Sequence, residues 1–154
     1  TDGKFSELCH EIAKDYPGIT AEDYYIDIMT ANLVKPGTRE KFQVFVLPNL
    51  YGDIITDEAA QLQGGVGTAG SANLGDQYAM FEAIHGSAPR MIETGRGDYA
   101  NPSSLLRAAS MLLRHIARGN KAAVLDAALD AVPHDGDTAQ GFADRLIAEI
   151  GRRL

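Results

Sequence analysis

The segment Asn49-Leu50-Tyr51-Gly52-Asp53-Ile54-Ile55-Thr56-Asp57-Glu58-Ala59 decides how this chain is read. It follows Phe42-Gln43-Val44-Phe45-Val46-Leu47, an almost wholly apolar run of β-branched and aromatic residues. That run is too short for a helix and predicts a strand covered on both faces. A helix over residues 52–63 is expected next, and it stacks Asp53 and Asp57 on one face, one turn apart. Like charges at that spacing repel by roughly a few tenths of a kcal/mol, so something should offset them. A hard divalent cation such as Mg²⁺ or Mn²⁺ would do so, since it takes one or two carboxylates plus oxygens from substrate or water. The alternative is that both acids decorate a helix N-terminus, where the macrodipole favours negative charge.

Working outward, Phe5, Leu8, Cys9, Ile12 and Ala13 recur at helical spacing over residues 3–16, and Pro17-Gly18 ends the pattern. Residues 24–35 place Tyr25, Ile28, Met29, Asn32 and Leu33 on one helical face, although the first few could form a strand ending near Ile26. Residues 64–76 read as a Gly-rich loop, Tyr78 to Ile84 as a short apolar strand, and residues 85–101 as a long loop. Pro102 is expected to open a helix running to about Arg118, with two more amphipathic helices over 121–132 and 138–150. Helices alternating with buried strands imply an α/β layered fold. Only two or three strands can be found, so the sheet looks incomplete within this chain.

The chain has 154 residues, enough for one domain, with 45% hydrophobic and 23% charged residues and no charge blocks. Net charge is −7 and the fourteen basic residues are scattered, which argues against a nucleic-acid partner. Lone Cys9 excludes an internal disulfide and a cysteine zinc site. No apolar run approaches the roughly 20 residues that span a bilayer, and no signal-peptide layout is present. A soluble, cytoplasmic chain without a membrane partner is expected.

Gly65-Val66-Gly67-Thr68-Ala69-Gly70 satisfies the G-x-G-x-x-G pattern, but a helix precedes it, and about twenty residues later stands Arg90 instead of an acid. The Rossmann reading therefore fails. What survives is either a loop that lets two backbones approach closely or a flexible surface loop. His85-Gly86-Ser87-Ala88-Pro89 sets a histidine at a strand end before small residues, where α/β folds bind ligands. His85 can equally be a hydrogen-bonded structural residue. Asp27, between Ile26 and Ile28, either completes a metal site or faces solvent.

Taken together, these segments resemble the β-decarboxylating dehydrogenases of the isocitrate and isopropylmalate family, in the family's order over about residues 1–150. The resemblance is carried by Asp27 with Asn32-Leu33-Val34, by Asn49 to Asp57, by Gly64-Gly65-Val66-Gly67 and by Ala72-Asn73-Leu74-Gly75. Phe81 to Pro89, Asn101-Pro102 and Met111-Leu112-Leu113-Arg114-His115 complete it. Tyr51-Gly52 and Gly64-Gly65 look closest to the isocitrate branch.

The resemblance implies the C-terminal half of that fold, with layered helices around a mixed sheet. Residues 1–64 would be part of a small dimerisation domain, and 65–154 part of the large nucleotide-binding domain. It gives Asp53 and Asp57 the role of metal-binding carboxylates, and makes Asp27 the acid lent to the same metal by a partner subunit, with Asp27 and Asp53 as catalytic groups. It places His85, Gly86, Ser87, Ala88, Pro89, Arg90 and Asn101 around the adenine end of NAD or NADP, and Glu82 near the nicotinamide ribose. The implied reaction is oxidative decarboxylation of a 2-hydroxy acid, foremost isocitrate to 2-oxoglutarate, with Mg²⁺ or Mn²⁺. A 3-isopropylmalate or homoisocitrate dehydrogenase, or a non-catalytic regulatory subunit, is the alternative.

Three departures from the family stand out. The chain is about half the usual length, starting after the family's catalytic lysine and lacking its substrate-holding arginines and tyrosine. Arg90 stands where NAD-using members carry an acid, which suits a 2′-phosphate. The region before the last helix is short. A dimer, or pairing with an N-terminal half, is expected, and the chain alone should be inactive.

Overall fold

The computed structural model describes Thr1–Leu154 and divides it into two compact units, Thr1–Leu62 and Gln63–Leu154. The first unit holds α1 (Asp2–Ala13), α2 (Ile26–Val34), the short α3 (Pro36–Arg39) and α4 (Asn49–Gln63), which ends at the boundary. Its core joins Met29 and Leu33 of α2 to Ile55 of α4, with Ile26, Phe42 and Leu47 packed around them. Met29 and Leu33 are four residues apart on α2, so a single helical face supplies both. The helix begins at Ile26, and Tyr24 and Tyr25 before it, Tyr25 in extended backbone, belong to neither a helix nor a strand. The stripe on α1 buries no residue.

Phe42–Leu47 forms no strand, contrary to the expectation from its composition. Val44 and Val46 are 79% and 65% exposed instead of covered on both faces. A strand needs a neighbour to accept and donate its backbone hydrogen bonds, and the one ladder in the structure pairs two other segments. High β-propensity alone does not make a ladder.

The second unit pairs β1 (Gly70–Leu74) antiparallel with β2 (Ala79–Ala83), in register from Gly70↔Ala83 to Leu74↔Ala79. This pair is the whole sheet, so the mixed sheet expected is represented here by an antiparallel ribbon. β1 lies inside the segment read as a loop. Its Gly-Ser-Ala-Asn-Leu sequence has weak strand propensity, and it is a strand because β2 and α6 hold it. The long loop of residues 85–101 also contains order, namely α5 (Pro89–Glu93) and a 3₁₀ turn at Gly97–Tyr99.

Helices α6 (Ser103–His115), α7 (Gly119–Ala131) and α8 (Ala139–Arg153) complete the unit, with α6 packed on both strands and on α7, and α7 on α8. Pro102 caps α6 from outside its first turn. The α7–α8 core consists of Ala128, Leu129, Val132, Phe142 and Leu146, flanked by Leu106, Leu125 and Ile150. Thr138 starts α8 by accepting the Gly141 N–H at 3.1 Å, which satisfies one of the helix's orphan donors. No helix is long and apolar enough to cross a membrane.

Candidate functional site

The first candidate site lies on α4. The helix starts at Asn49, three residues before the expected start, so its first turn contains no acid. Asp53 and Asp57 therefore sit in the body of the helix, beyond the turn where the macrodipole acts. That removes the helix-terminus explanation of their spacing. Both are exposed, opposite the face that buries Ile55. Neither carboxylate takes part in an ion pair or a side-chain hydrogen bond, and α4 carries no Lys or Arg. Thr56 beside them donates to the Gly52 carbonyl at 2.8 Å and directs no hydroxyl proton at either acid.

Asp27 opens α2, where its Oδ1 accepts the Ile28 N–H at 2.8 Å, and it faces solvent. The chain does not bring Asp27 together with Asp53 and Asp57; no three acidic, histidine or cysteine side chains converge anywhere in it.

The second candidate site follows β2. Phe81 and Ala83 turn toward α6, with the Phe81 and His115 rings 5.5 Å apart, and Glu82 between them is exposed. The Asn73 amide donates to Glu82 Oε1 at 2.8 Å, which steadies the carboxylate and leaves its other oxygen free. His85, Gly86, Ser87, Ala88 and Pro89 form an exposed turn in which Ala88 adopts φ +46°. His85 Nδ1 lies 3.0 Å from the Gly86 carbonyl oxygen. Because a carbonyl can only accept, Nδ1 carries the proton and Nε2 of the neutral ring is left as an acceptor. Arg90 continues into α5 with its guanidinium unpaired.

Asn101 accepts the Ser103 N–H at 2.9 Å, anchoring the turn into α6. A Cβ on Gly67 would meet the Asn101 amide at 3.6 Å, so the Gly-rich loop lies against this side chain.

Two features here were not legible as site residues. Ser104 is fully buried, accepts the Ile84 N–H at 3.1 Å and donates to the Ala69 carbonyl. One hydroxyl thus ties the end of β2, from which His85 departs, to the entry of β1. Ser104→Ala should cost about 2 kcal/mol by orphaning both backbone groups. It should also speed amide exchange of Ile84, which hydrogen-exchange mass spectrometry or NMR can read; unchanged exchange would remove the tie. The second feature is Asp126 with Arg107 and Arg114, lining a cleft of about 210 Å³ beside Thr68, Ala69 and Gly70. Burial works to raise the Asp126 carboxyl, but hydrogen bonds from Arg114, Ser110 and Arg107 outweigh it and hold it below the usual carboxylate range. The partners of Asp126 come from a different helix, twelve to nineteen residues away in sequence, so local reading leaves them as solvated charges.

Comparison with known proteins first defines the class. The crystal structure of isocitrate dehydrogenase from Methylococcus capsulatus has the same α/β arrangement, with a TM-score of 0.85 at 34% identity over 96% of this chain and 46% of that one. Residues 1–149 match the family model described as isocitrate/isopropylmalate dehydrogenase. The chain belongs to the isocitrate/isopropylmalate dehydrogenase family.

Among relatives, it is 53% identical over 137 residues to the isocitrate dehydrogenase (NADP) of Rickettsia felis, covering 88% of this chain and 27% of that protein. It is 36% identical over 159 residues to the 3-isopropylmalate dehydrogenase of Methanothermobacter thermautotrophicus, covering 100% of this chain and 47% of that one. The chain thus spans between about a quarter and about half the length of these relatives.

Proposed function

We propose that this chain carries the metal-binding and nucleotide-binding residues of a dehydrogenase that oxidatively decarboxylates isocitrate to 2-oxoglutarate with NADP, and that an N-terminal half completes the active site. The observation that carries the reading is the pair Asp53 and Asp57. They are two exposed, unpaired, like-charged side chains stacked in mid-helix, which no cation of the chain neutralises. Such a pair fits a hard divalent ion, with its preference for carboxylate oxygens and open water positions. Asp53 and Asp57 would hold Mg²⁺ or Mn²⁺, with Asp27 of a second copy supplying a third carboxylate, so the working form is a dimer.

When bound, the ion supplies Lewis acidity at the substrate's hydroxyl and carboxylate oxygens. The chain's own contribution is orientation. The rigid α4 presents both carboxylates one turn apart, and the Met29–Leu33–Ile55 core fixes which face of the helix they occupy. In the other unit, Glu82 would accept from the nicotinamide ribose. The turn from His85 to Pro89 would take the adenine edge, with His85 Nε2 available as an acceptor and Gly86, Ser87 and Ala88 small enough for close approach. Asn101 would border the adenosine. Arg90, with no carboxylate partner, would meet a 2′-phosphate, which favours NADP over NAD.

Co-expressing the chain with the N-terminal half of a relative should yield Mn²⁺-dependent reduction of NADP by isocitrate. Asp53→Asn and Asp57→Asn should each lower that rate at least about a hundredfold, the scale on which perturbing a metal site acts. In the isolated chain, Mn²⁺ at a hundred times its Kd should add about 2.7 kcal/mol of stability, and neither variant should gain it. No turnover with isocitrate, 3-isopropylmalate or homoisocitrate defeats the catalytic reading. Turnover with 3-isopropylmalate alone favours the reading suggested by the Methanothermobacter relative. Full activity in both variants identifies a regulatory chain.

A further inference from the structure

We infer that Asn73 is a positioning residue for the cofactor: its side-chain amide holds one oxygen of the Glu82 carboxylate and so presents the other to the hydroxyls of the nicotinamide ribose. This rests on Glu82 being the acceptor for that ribose, and adds a residue of the neighbouring strand that acts only through Glu82.

The ladder brings the two side chains together. Asn73 stands opposite Met80 and Ser71 opposite Glu82, so Asn73 and Glu82 are diagonal neighbours on one face of the ribbon. Phe81, which alternates with them along β2, turns to α6 and meets the His115 ring. Helix α6 packs on both strands, which fixes the spacing across which the amide reaches. The Asn73 amide nitrogen donates to Glu82 Oε1 at 2.8 Å. Both residues are exposed, and no ion pair involves Glu82.

The chemistry of this contact is orientation. An exposed glutamate spreads over many rotamers, and a ligand that uses it must first immobilise it. Asn73 does part of that before any ligand arrives. An amide suits the task because it is a neutral donor, which orients the carboxylate without cancelling its charge. Lysine or arginine at this place would pair with the carboxylate and compete with the ribose hydroxyls. Aspartate would repel it, and an apolar residue would leave it free. With Oε1 engaged, Oε2 keeps both lone pairs for hydroxyl donors. A hydrogen bond this exposed competes with water and contributes little to folding, so its effect falls on the carboxylate it holds.

The test uses the 154-residue chain and isothermal titration calorimetry with NADP and with 2′,5′-ADP, which keeps the adenosine and both of those phosphates but lacks the nicotinamide ribose. Asn73→Ala should weaken NADP roughly two- to tenfold, the scale on which freezing one long side chain acts. Asn73→Asp is almost the same size, and should weaken NADP at least as much, because a second carboxylate turns Glu82 away. Both variants should leave 2′,5′-ADP unchanged, and Asn73→Gln, which keeps an amide donor, should recover part of the loss. In a chain already carrying Glu82→Ala, the Asn73→Ala change should add nothing, since no carboxylate is left to hold.

If Glu82→Ala weakens NADP while Asn73→Ala and Asn73→Asp do not, the positioning role is overturned and Glu82 keeps its own. Equal weakening of both ligands by the Asn73 variants also overturns it, since a distorted ribbon then explains the effect. So does an undiminished effect of Asn73→Ala in the Glu82→Ala chain. A Glu82→Ala chain that binds NADP as the parent does, or a parent that binds neither nucleotide, overturns the role of Glu82 and that of Asn73 together.

Discussion

Gly70→Ala should destabilise the Gln63–Leu154 unit by about 3 kcal/mol, at the upper end of what overpacking ordinarily costs. A Cβ at this position would lie 2.4 Å from the Ala108 nitrogen, 2.8 Å from its Cα and 2.9 Å from the Arg107 carbonyl carbon. All three are backbone atoms of α6, so no side chain can swing aside to make room. The φ of Gly70 is not in the left-handed region, and alanine there would even reduce the entropy of the unfolded chain, by an amount worth roughly 0.4–1 kcal/mol. The steric term exceeds that gain.

Pushing β1 off α6 would also stretch the Ser104 bond to the neighbouring Ala69 carbonyl, which helps hold the strand ends beneath His85. Urea unfolding followed by circular dichroism should show the loss. A variant within about 0.5 kcal/mol of the parent, the range of neutral surface changes, would mean that α6 and β1 do not touch as described.

Phe142→Ala should cost about 3–5 kcal/mol, the usual range for deleting a buried aromatic ring. Phe142 has no exposed surface and stands at the centre of the α7–α8 core, packed with Ala128, Leu129, Val132 and Leu146. Its ring also meets the His134 ring edge-on, with centroids 5.4 Å apart. The neighbours are too small or too firmly held in helices to close the gap. For a domain whose whole stability is about 5–15 kcal/mol, such a loss leaves a substantial unfolded population at ambient temperature. Phe142→Leu should cost clearly less, because most of the volume is kept. Calorimetry that found the two variants equal would show that the ring's shape, and not its buried volume, is what matters.

Much of this chain is written in its local pattern. The 3.6-residue spacing of apolar groups along α2, α4, α6, α7 and α8 requires no distant partner to be seen, since every second turn repeats it. The family could be read in the same way, because motifs such as Asn49–Asp57 and His85–Pro89 are contiguous. What local pattern misjudged was strand formation. Phe42–Leu47 has the composition of a buried strand and is none, whereas Gly70–Leu74 has little strand character and is one. A ladder is a property of two segments, and only the second of these finds its partner within the chain.

The candidate sites divide along the same line. Sequence by itself determined the spacing of Asp53 and Asp57, the small residues after His85 and the helices that carry or follow them. It also held the suggestion that a glycine in the 65–70 stretch permits close backbone approach. Only the tertiary structure decided that the glycine in question is Gly70 and that what it admits is the backbone of α6 at Ala108. The same holds for the start of α4 at Asn49, which carries both aspartates beyond the helix dipole, and for the pairing of Asp126 with Arg107 and Arg114. Each depends on where a helix begins or on a contact across the chain, and those follow from the balance of hydrogen bonds and packing over many residues. No short window of sequence contains that balance.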